Sequence, residues 1–306
     1  MRHIRVTIGL ALLVAAGCHN WPHLRDKGGS GDGLARLDRP TPEQLVQYLN
    51  RNAAKVQGLE CRQVSIDAKQ GGQTAGLDAL LVCQKPRDFR LVGRVAGNTE
   101  VDMGSNSQEF WYWIKRAPEP NYVYHCNYDD FRRGVRMPFP FQPDWIMEAL
   151  GVATYDETKK YQVRETQTTV ELIEQAKTPQ GQPVSKVVVF NRSPAAAGKP
   201  QIAAFVLRDA SGKEIATATV TDVQHDPATG AVVPRRINLV WPEEKIEMKM
   251  RLDGVRVGPI DPGRAASVFS RRNLASLPGF DLARGPDAPN GTQPADYRQP
   301  LRGSQP

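Results

Sequence analysis

The 306-residue chain lacks the signatures on which most enzyme assignments rest. It has no G-x-S-x-G nucleophile elbow, no phosphate-binding P-loop, no H-E-x-x-H pair and no dinucleotide-binding glycine pattern. Histidine is scarce: of five, His3, His19 and His23 precede the folded body, which leaves His125 and His225. On a strand, His125 and its neighbour Cys126 point to opposite faces, a poor arrangement for a metal or a Cys-His pair. His225 lies beside Asp226 in a turn, and the adjacent carboxylates Asp129 and Asp130 diverge. The chain is therefore expected not to be an enzyme and to carry no cofactor or metal. No run of five or six like charges occurs, which argues against a nucleic-acid partner. No apolar run reaches the ~20 residues that span a bilayer as a helix.

What is present starts at the N-terminus. Arg2 and Arg5 precede an eleven-residue apolar run, Val6 to Ala16, closed by Gly17 and Cys18. A basic start, a short apolar middle and small residues before a cut form the pattern of a secretory signal over residues 1–17. Small residues ending on a cysteine resemble the lipobox of bacterial lipoproteins. That resemblance implies lipid attachment at Cys18 as the first mature residue; the alternative is ordinary secretion with Cys18 as a bystander. Cleavage would remove Arg2 and Arg5 and no acid, lowering the net charge from +7 to +5. In lipoproteins an Asp after the acylated cysteine retains the protein in the inner membrane. His19 stands there, so the resemblance implies a periplasm-facing protein of the cell envelope, at the outer rather than the inner membrane.

In an oxidising compartment the remaining cysteines, Cys61, Cys83 and Cys126, can pair. Cys61 and Cys83 lie symmetrically about Gly71-Gly72, so a hairpin turning there makes them a candidate disulfide. Cys126 is expected to be a buried strand residue.

Residues 18–40, with Gly28-Gly29-Ser30-Gly31, are expected to form a flexible tether. Residues 284–306, rich in Pro, Gly, Asn and Gln, are expected to be a disordered tail. The body, 41–283, opens with a helix: Thr41 caps, Pro42 takes the first position, Gln44 completes a capping box and Gly58 supplies the stop. Leu45, Val46, Leu49, Ala53 and Val56 recur on one face. The period then changes to two. Strands are expected at 59–68, 77–84, 88–96, 99–105, 109–115 and 121–127, a helix at 141–151, and strands at 160–166, 168–177, 184–191, 201–208, 214–223, 234–241 and 245–257. Asp209-Ala-Ser-Gly212 and Asp226-Pro-Ala-Thr-Gly230 are hairpin loops. So many meandering strands must close, stack or curl, and a curled sheet over the helices also covers the apolar stripe of the first helix. The expected fold is mainly β: an unclosed, strongly curved antiparallel sheet, a half-barrel, around two or so helices.

Several passages carry a family resemblance. Leu80-Leu-Val-Cys-Gln-Lys-Pro-Arg-Asp-Phe-Arg-Leu91 resembles the "strand, Lys-Pro, Phe-Arg" segment of the LolA and LolB lipoprotein-sorting proteins. Val101 to Asn106 and Glu109-Phe-Trp-Tyr-Trp113 are similar to the strands that follow it there. Pro140 to Gly151 is similar to the inserted helix, and Val233 to Trp241 with Met248 to Val255 to the closing strands. Residues 160–225 make this body longer than usual members. The resemblance implies a half-barrel with an apolar cavity between sheet and helices, where the sorting proteins accept lipoprotein acyl chains.

The candidate cavity residues are Phe110, Trp111 and Trp113 on the aromatic strand and Trp145, Ile146 and Leu150 on the central helix. Each has a plainer reading as core packing or as a plug of the sheet. Met137-Pro-Phe-Pro-Phe141 is an apolar lead-in that would form a contact edge if exposed. Arg132-Arg133, Arg235-Arg236 and Arg271-Arg272 are expected to decorate element ends. Two functions follow. In the first, a membrane-anchored protein binds acyl chains or lipoproteins in the cavity, serving lipid or lipoprotein trafficking. In the second, a structural or sensing module binds a protein partner and no lipid. An open apolar cleft of several hundred cubic ångströms would favour the first, and a filled interior the second.

Overall fold

The capping box at Thr41 sets the first element. Gln44 N–H donates to Thr41 Oγ1 and Thr41 N–H to Gln44 Oε1, satisfying two of the donors a helix start leaves open. The computed structural model describes residues 37–116, 121–135, 143–178, 181–193 and 198–287. Helix α1, Pro42–Lys55, buries Leu45, Val46, Leu49 and Ala53, the expected stripe. It ends on an extended Val56, not on Gly58. Gly58 has another role: a Cβ there would lie 2.7 Å from the Gly258 carbonyl oxygen and 3.1 Å from that of Cys83. Two strands cross too closely at that point for any side chain.

From Gly58 the chain runs as β1 (Gly58–Gln70), β2 (Gln73–Gln84), β3 (Asp88–Val95), β4 (Asn98–Ser105), β5 (Glu109–Ile114) and β6 (Val123–Asn127). Two short helices follow, α2 (Tyr128–Arg132) and α3 (Pro143–Ala149). The second run of strands is β7 (Tyr161–Glu165), β8 (Thr169–Lys177), β9 (Pro183–Asn191), β10 (Ile202–Asp209), β11 (Glu214–His225), β12 (Val232–Trp241), β13 (Ile246–Asp253) and β14 (Arg256–Val257). Helix α4 (Pro262–Val268), a 3-10 turn (Arg271–Leu274), β15 (Gly279–Asp281) and β16 (Gly285–Pro286) complete the described chain. All strands join one sixteen-stranded sheet ordered β16-β15-β6-β5-β4-β3-β2-β1-β13-β12-β11-β10-β9-β8-β7, with β14 beside β1. β1 and β13 join the two runs. The sheet is large, curved and unclosed, and it cradles α1, α2 and α3 on its inner face.

Every pairing is antiparallel except that of β15 with β6, which is parallel, so the sheet is mixed where a purely antiparallel one is expected. At the β1-β2 turn Gly71 and Gly72 both have positive φ and Gln70 pairs with Gln73. That is the two-glycine turn whose twist suits a hairpin. The main core lies between the inner face and the helices and draws Leu59, Ile66, Leu81, Phe89, Phe110, Phe190, Leu239 and Leu252 from across the sheet. Two asparagines of α1 act as surrogate backbone. Asn52 exchanges hydrogen bonds with Val232 N–H and C=O, both 2.8 Å. Asn50 does the same with Tyr155, at 2.8 and 2.9 Å.

The described order exceeds the expected body at both ends. Leu37 is buried and bonds to Arg192 through its backbone N–H and C=O. At the other end β16 pairs with β15, and Asp287 accepts from His125 Nε2 at 3.0 Å. Residues 260–277 lie across the outer face of β2 to β6, where Ile260 and Phe269 cover Val82, and Leu274 and Leu277 cover Trp111, Trp113 and Val123.

Glu60 fastens this segment. Arg264 donates to both of its oxygens, at 2.6 and 2.8 Å, and Arg62 adds a third bond at 2.6 Å. The Arg264 hydrogen bonds hold the Glu60 carboxyl down at about 2, against burial, from an ordinary value of 4.5. A carboxyl depressed by folding stabilises fully above its unfolded value and loses that contribution as pH falls through its folded one. Unfolding followed from pH 6 to 2 is therefore expected to show wild type losing about 2 kcal/mol more than Glu60→Gln, concentrated below pH ~4.5. Parallel pH profiles would refute the assignment.

Candidate functional site

The alternation of β5 divides its four rings. Phe110 and Tyr112 join the inner core, whereas Trp111 and Trp113 belong to a separate cluster on the outer face beneath the C-terminal segment. The two tryptophans are thus corrected as cavity residues: the pleat turns them away from the helices, and Leu274 and Leu277 cover them. Phe110 meets the rings of Tyr128 and Phe131 of α2, at centroid distances of 5.7 and 5.1 Å. Trp145 of α3 stands edge-on to Trp241 at 5.9 Å. Leu150 is fully buried in the core, and Ile146 packs against it half-buried.

Phe110 and Trp145 do come together. With Phe131, Pro143, Val184 and Leu207 they line a largely apolar cleft of about 330 Å³ between β5, α2, α3 and the strands β8 to β10. By contrast, the apolar space beneath α1, bordered by Tyr48, Leu49, Phe205 and Val233, is only about 70 Å³. The interior is therefore filled under the long helix and open beside the short one. A second, polar cleft of about 590 Å³ also adjoins α3, lined by Met147, Glu148, Tyr155, Lys159, Glu174 and Lys186 among others.

The polar cleft holds paired charges. Lys186 Nζ donates to Glu148 Oε2 at 2.7 Å, and Tyr155 OH to Glu148 Oε1 at 3.0 Å. Glu148 is buried. Burial pulls the Lys186 ammonium down, yet the Glu148 carboxylate, helped by Glu174 and Asp144, outweighs it and holds the group above the ordinary lysine value. Burial, then the charge of Glu148, pushes the Tyr155 phenol far up, so it stays a hydrogen-bond donor. Lys159 pairs with Glu174 at 2.5 Å. Arg87 grips Asp144 through two 2.9 Å bonds and lies 4.0 Å over the Tyr128 ring.

Arg87, Asp144, Glu148 and Lys186 escaped the sequence reading, although one signal was present. Val184, Lys186, Val188 and Phe190 alternate onto one face of β9, and all but the lysine are buried there. A charged side chain on the apolar face of a strand marks a wet or ligand-facing position.

The other candidates separate. Cys61, Cys83 and Cys126 are free and buried. Cys61 lies opposite Leu81 and Cys83 opposite Leu59: the turn that pairs Gln70 with Gln73 already sets a register one residue short of facing the two cysteines, and a bulge between Cys61 and Val64 shifts it one further. The expected disulfide pair is thus diagonal, and diagonal neighbours sit roughly 7–8 Å apart, beyond the usual reach of a bridge. Burial pushes the Cys83 thiol up to about 12, which keeps it inert. His125 faces Asp287 and Glu109 while Cys126 joins the inner core. His225 is exposed. Arg133 pairs with Asp130, Arg235 with Asp253 and Arg271 with Glu109. Cys18 and Met137 to Phe141 lie outside the described residues. Among the described residues no cluster of three His, Cys, Asp or Glu side chains is placed to hold a metal, and no helix is long and apolar enough to cross a membrane.

The sequence matches no family model and no curated protein. Solved structures do match. A domain described as an outer membrane lipoprotein-sorting protein from Vibrio parahaemolyticus aligns at TM-score 0.50 and 8% identity, over 76% of this chain and 99% of its own. A DUF1329 family protein from Desulfovibrio piger aligns at 0.49 and 10% identity, over 76% and 97%. A LolA superfamily protein from Nitrosomonas europaea aligns at 0.45 and 10% identity, over 75% and 99%. At 8% identity the Vibrio match shows a shared fold, the curved half-barrel sheet with its helices, and leaves function to the site.

Proposed function

We propose that this chain is a lipid-anchored protein of the bacterial envelope whose half-barrel binds acyl chains, of lipids or of lipoproteins, beside α3. One observation carries the reading: the apolar cleft of about 330 Å³ that opens between Phe110, Phe131, Trp145 and Leu207. That volume falls within the range of small-molecule sites. Each methylene that enters it contributes about 0.8 kcal/mol, so micromolar binding, about 8 kcal/mol, calls for about ten buried methylenes or more once the cost of association is met. The signal-like N-terminus and Cys18 favour attachment to the membrane, and His19 favours the outer one. The Vibrio domain of the same fold is described as lipoprotein-sorting, which is consistent with a part in lipid or lipoprotein trafficking.

The nearly filled space under α1 favours the second reading, a non-enzymatic structural or sensing module with a protein partner and no lipid. Native mass spectrometry of protein purified from its own membrane separates the two. The first reading expects adducts of lipid mass that disappear in Trp145→Glu, where a charge enters the cleft; a clean, adduct-free spectrum sinks it. The anchor is tested separately. Cys18→Ser is expected to leave the membrane fraction, and wild type to fractionate with the outer membrane.

A further inference from the structure

The two clefts beside α3 share three residues, Arg87, Asp144 and Lys186. An apolar lobe and a charged lobe therefore meet at one guanidinium, one carboxylate and one ammonium. We infer that they form a single amphiphile site, in which one acyl chain occupies the apolar lobe and a zwitterionic phospholipid headgroup exchanges partners with the Arg87–Asp144 pair. The inference rests on the acyl-chain reading above and names the ligand class for it.

The charges select the headgroup. The charged lobe is lined by four cations, Lys85, Arg87, Lys159 and Lys186, and by four carboxylates, Asp144, Glu148, Asp156 and Glu174. The apolar lobe adds Arg132 and Lys177; an anionic headgroup that takes the Arg87 donors strips Asp144 of its partner. A headgroup carrying both phosphate and ammonium leaves both Arg87 and Asp144 with a partner of opposite charge. Of the ion pairs present, Arg87–Asp144 is suited to exchange, since the Asp144 side chain is 52% exposed and that of Arg87 33%. Exposed pairs of this kind are worth about 1 kcal/mol or less, so separating them costs little. The Glu148–Lys186 pair is suited to stay, because Glu148 is buried and also holds Tyr155. Lys186 has three donors and spends one on Glu148.

In the exchange, the phosphate takes the two donors that Arg87 now gives to Asp144, in the bidentate geometry a guanidinium offers, and a free donor of Lys186. The released Asp144 carboxylate accepts the ammonium. The Tyr128 ring beneath Arg87 keeps the guanidinium in place throughout.

Calorimetric titration of the full chain with three myristoyl lipids below their micellar concentrations tests this: lysophosphatidylethanolamine, lysophosphatidylglycerol and the uncharged monoglyceride. The zwitterion is expected to bind about tenfold more tightly than either of the others. Arg87→Gln should bring zwitterion binding to the level of the monoglyceride measured with the same variant. Asp144→Asn should abolish the preference over the glycerol lipid, with melting temperatures reporting that both variants fold. Equal binding of all three lipids in wild type overturns headgroup recognition while leaving the acyl-chain reading intact. A preference for the anionic lipid overturns the zwitterion. Failure of the monoglyceride and both phospholipids to bind overturns both readings.

Discussion

Arg90→Met is expected to destabilise the protein by about 3–5 kcal/mol, the range for removing one partner of a buried ion pair. Arg90 and Asp102 sit on the outer face with side chains only 5% exposed and 2.5 Å apart. The guanidinium also donates to the carbonyls of Val268 and Ser270, at 3.2 and 2.8 Å, so it anchors the segment lying across β2 to β6. Burial raises the Asp102 carboxyl above its ordinary value even though Arg90 opposes it. Without Arg90 that rise can only grow. A carboxyl raised by folding binds its proton more tightly in the native state, so its penalty is largest above the folded value and fades as pH falls. The cost of Arg90→Met should accordingly be smaller at pH 4 than at pH 7. In urea titrations, Arg90→Met/Asp102→Leu should recover most of the loss, short of about 1–3 kcal/mol for carbonyls left without a donor. A loss under 1 kcal/mol at pH 7 would show that the pair does not hold the C-terminal segment.

That segment also marks where the sequence stops being legible. Ile260, Phe269, Leu274, Leu277 and Phe280 repeat at neither two nor 3.6 residues, and Pro259, Pro262, Pro278 and Pro286 punctuate the run. Each apolar side chain answers to a different spot on the sheet, so its order is tertiary and leaves no local period. Elsewhere local chemistry suffices. Thr41 and Gln44 place a helix, Gly71-Gly72 a hairpin, and the alternation of β8 to β13 a meander, because each depends on neighbours in the chain. The halving of the expected 245–257 strand is local too, at Gly254 with its φ of 66°, but one glycine among strand residues is a weak signal. The candidate site was half legible. Phe110 and Trp145 belong to it, whereas which face of β5 looks inward could not be fixed before the sheet was curled. The diagonal offset of Cys61 and Cys83 has two sources, the register of the Gly71-Gly72 turn and a bulge that no residue type announces.

Gly104→Ala is expected to cost about 2–3 kcal/mol, although alanine ordinarily suits a strand better than glycine. The reason is a row across neighbouring strands. Arg90 pairs with Gly104 and Gly104 with Trp111, and the bare glycine lets the indole lie over β4 toward the guanidinium, 5.3 Å from its centroid. A Cβ on residue 104 would stand 2.2 Å from Trp111 Cζ2 and 2.5 Å from Cε2. Trp111 cannot yield, being fully buried beneath the C-terminal segment. Its own truncation, Trp111→Ala, should cost about 3–5 kcal/mol. The two changes should couple, since the added methyl is intolerable only while the ring is present. Gly104→Ala in the Trp111→Ala background is therefore expected to be neutral or slightly stabilising, giving an interaction energy of about 2 kcal/mol in the double-mutant cycle. Additive costs would place the ring elsewhere and remove the physical link between the Arg90 anchor and the covered tryptophan face.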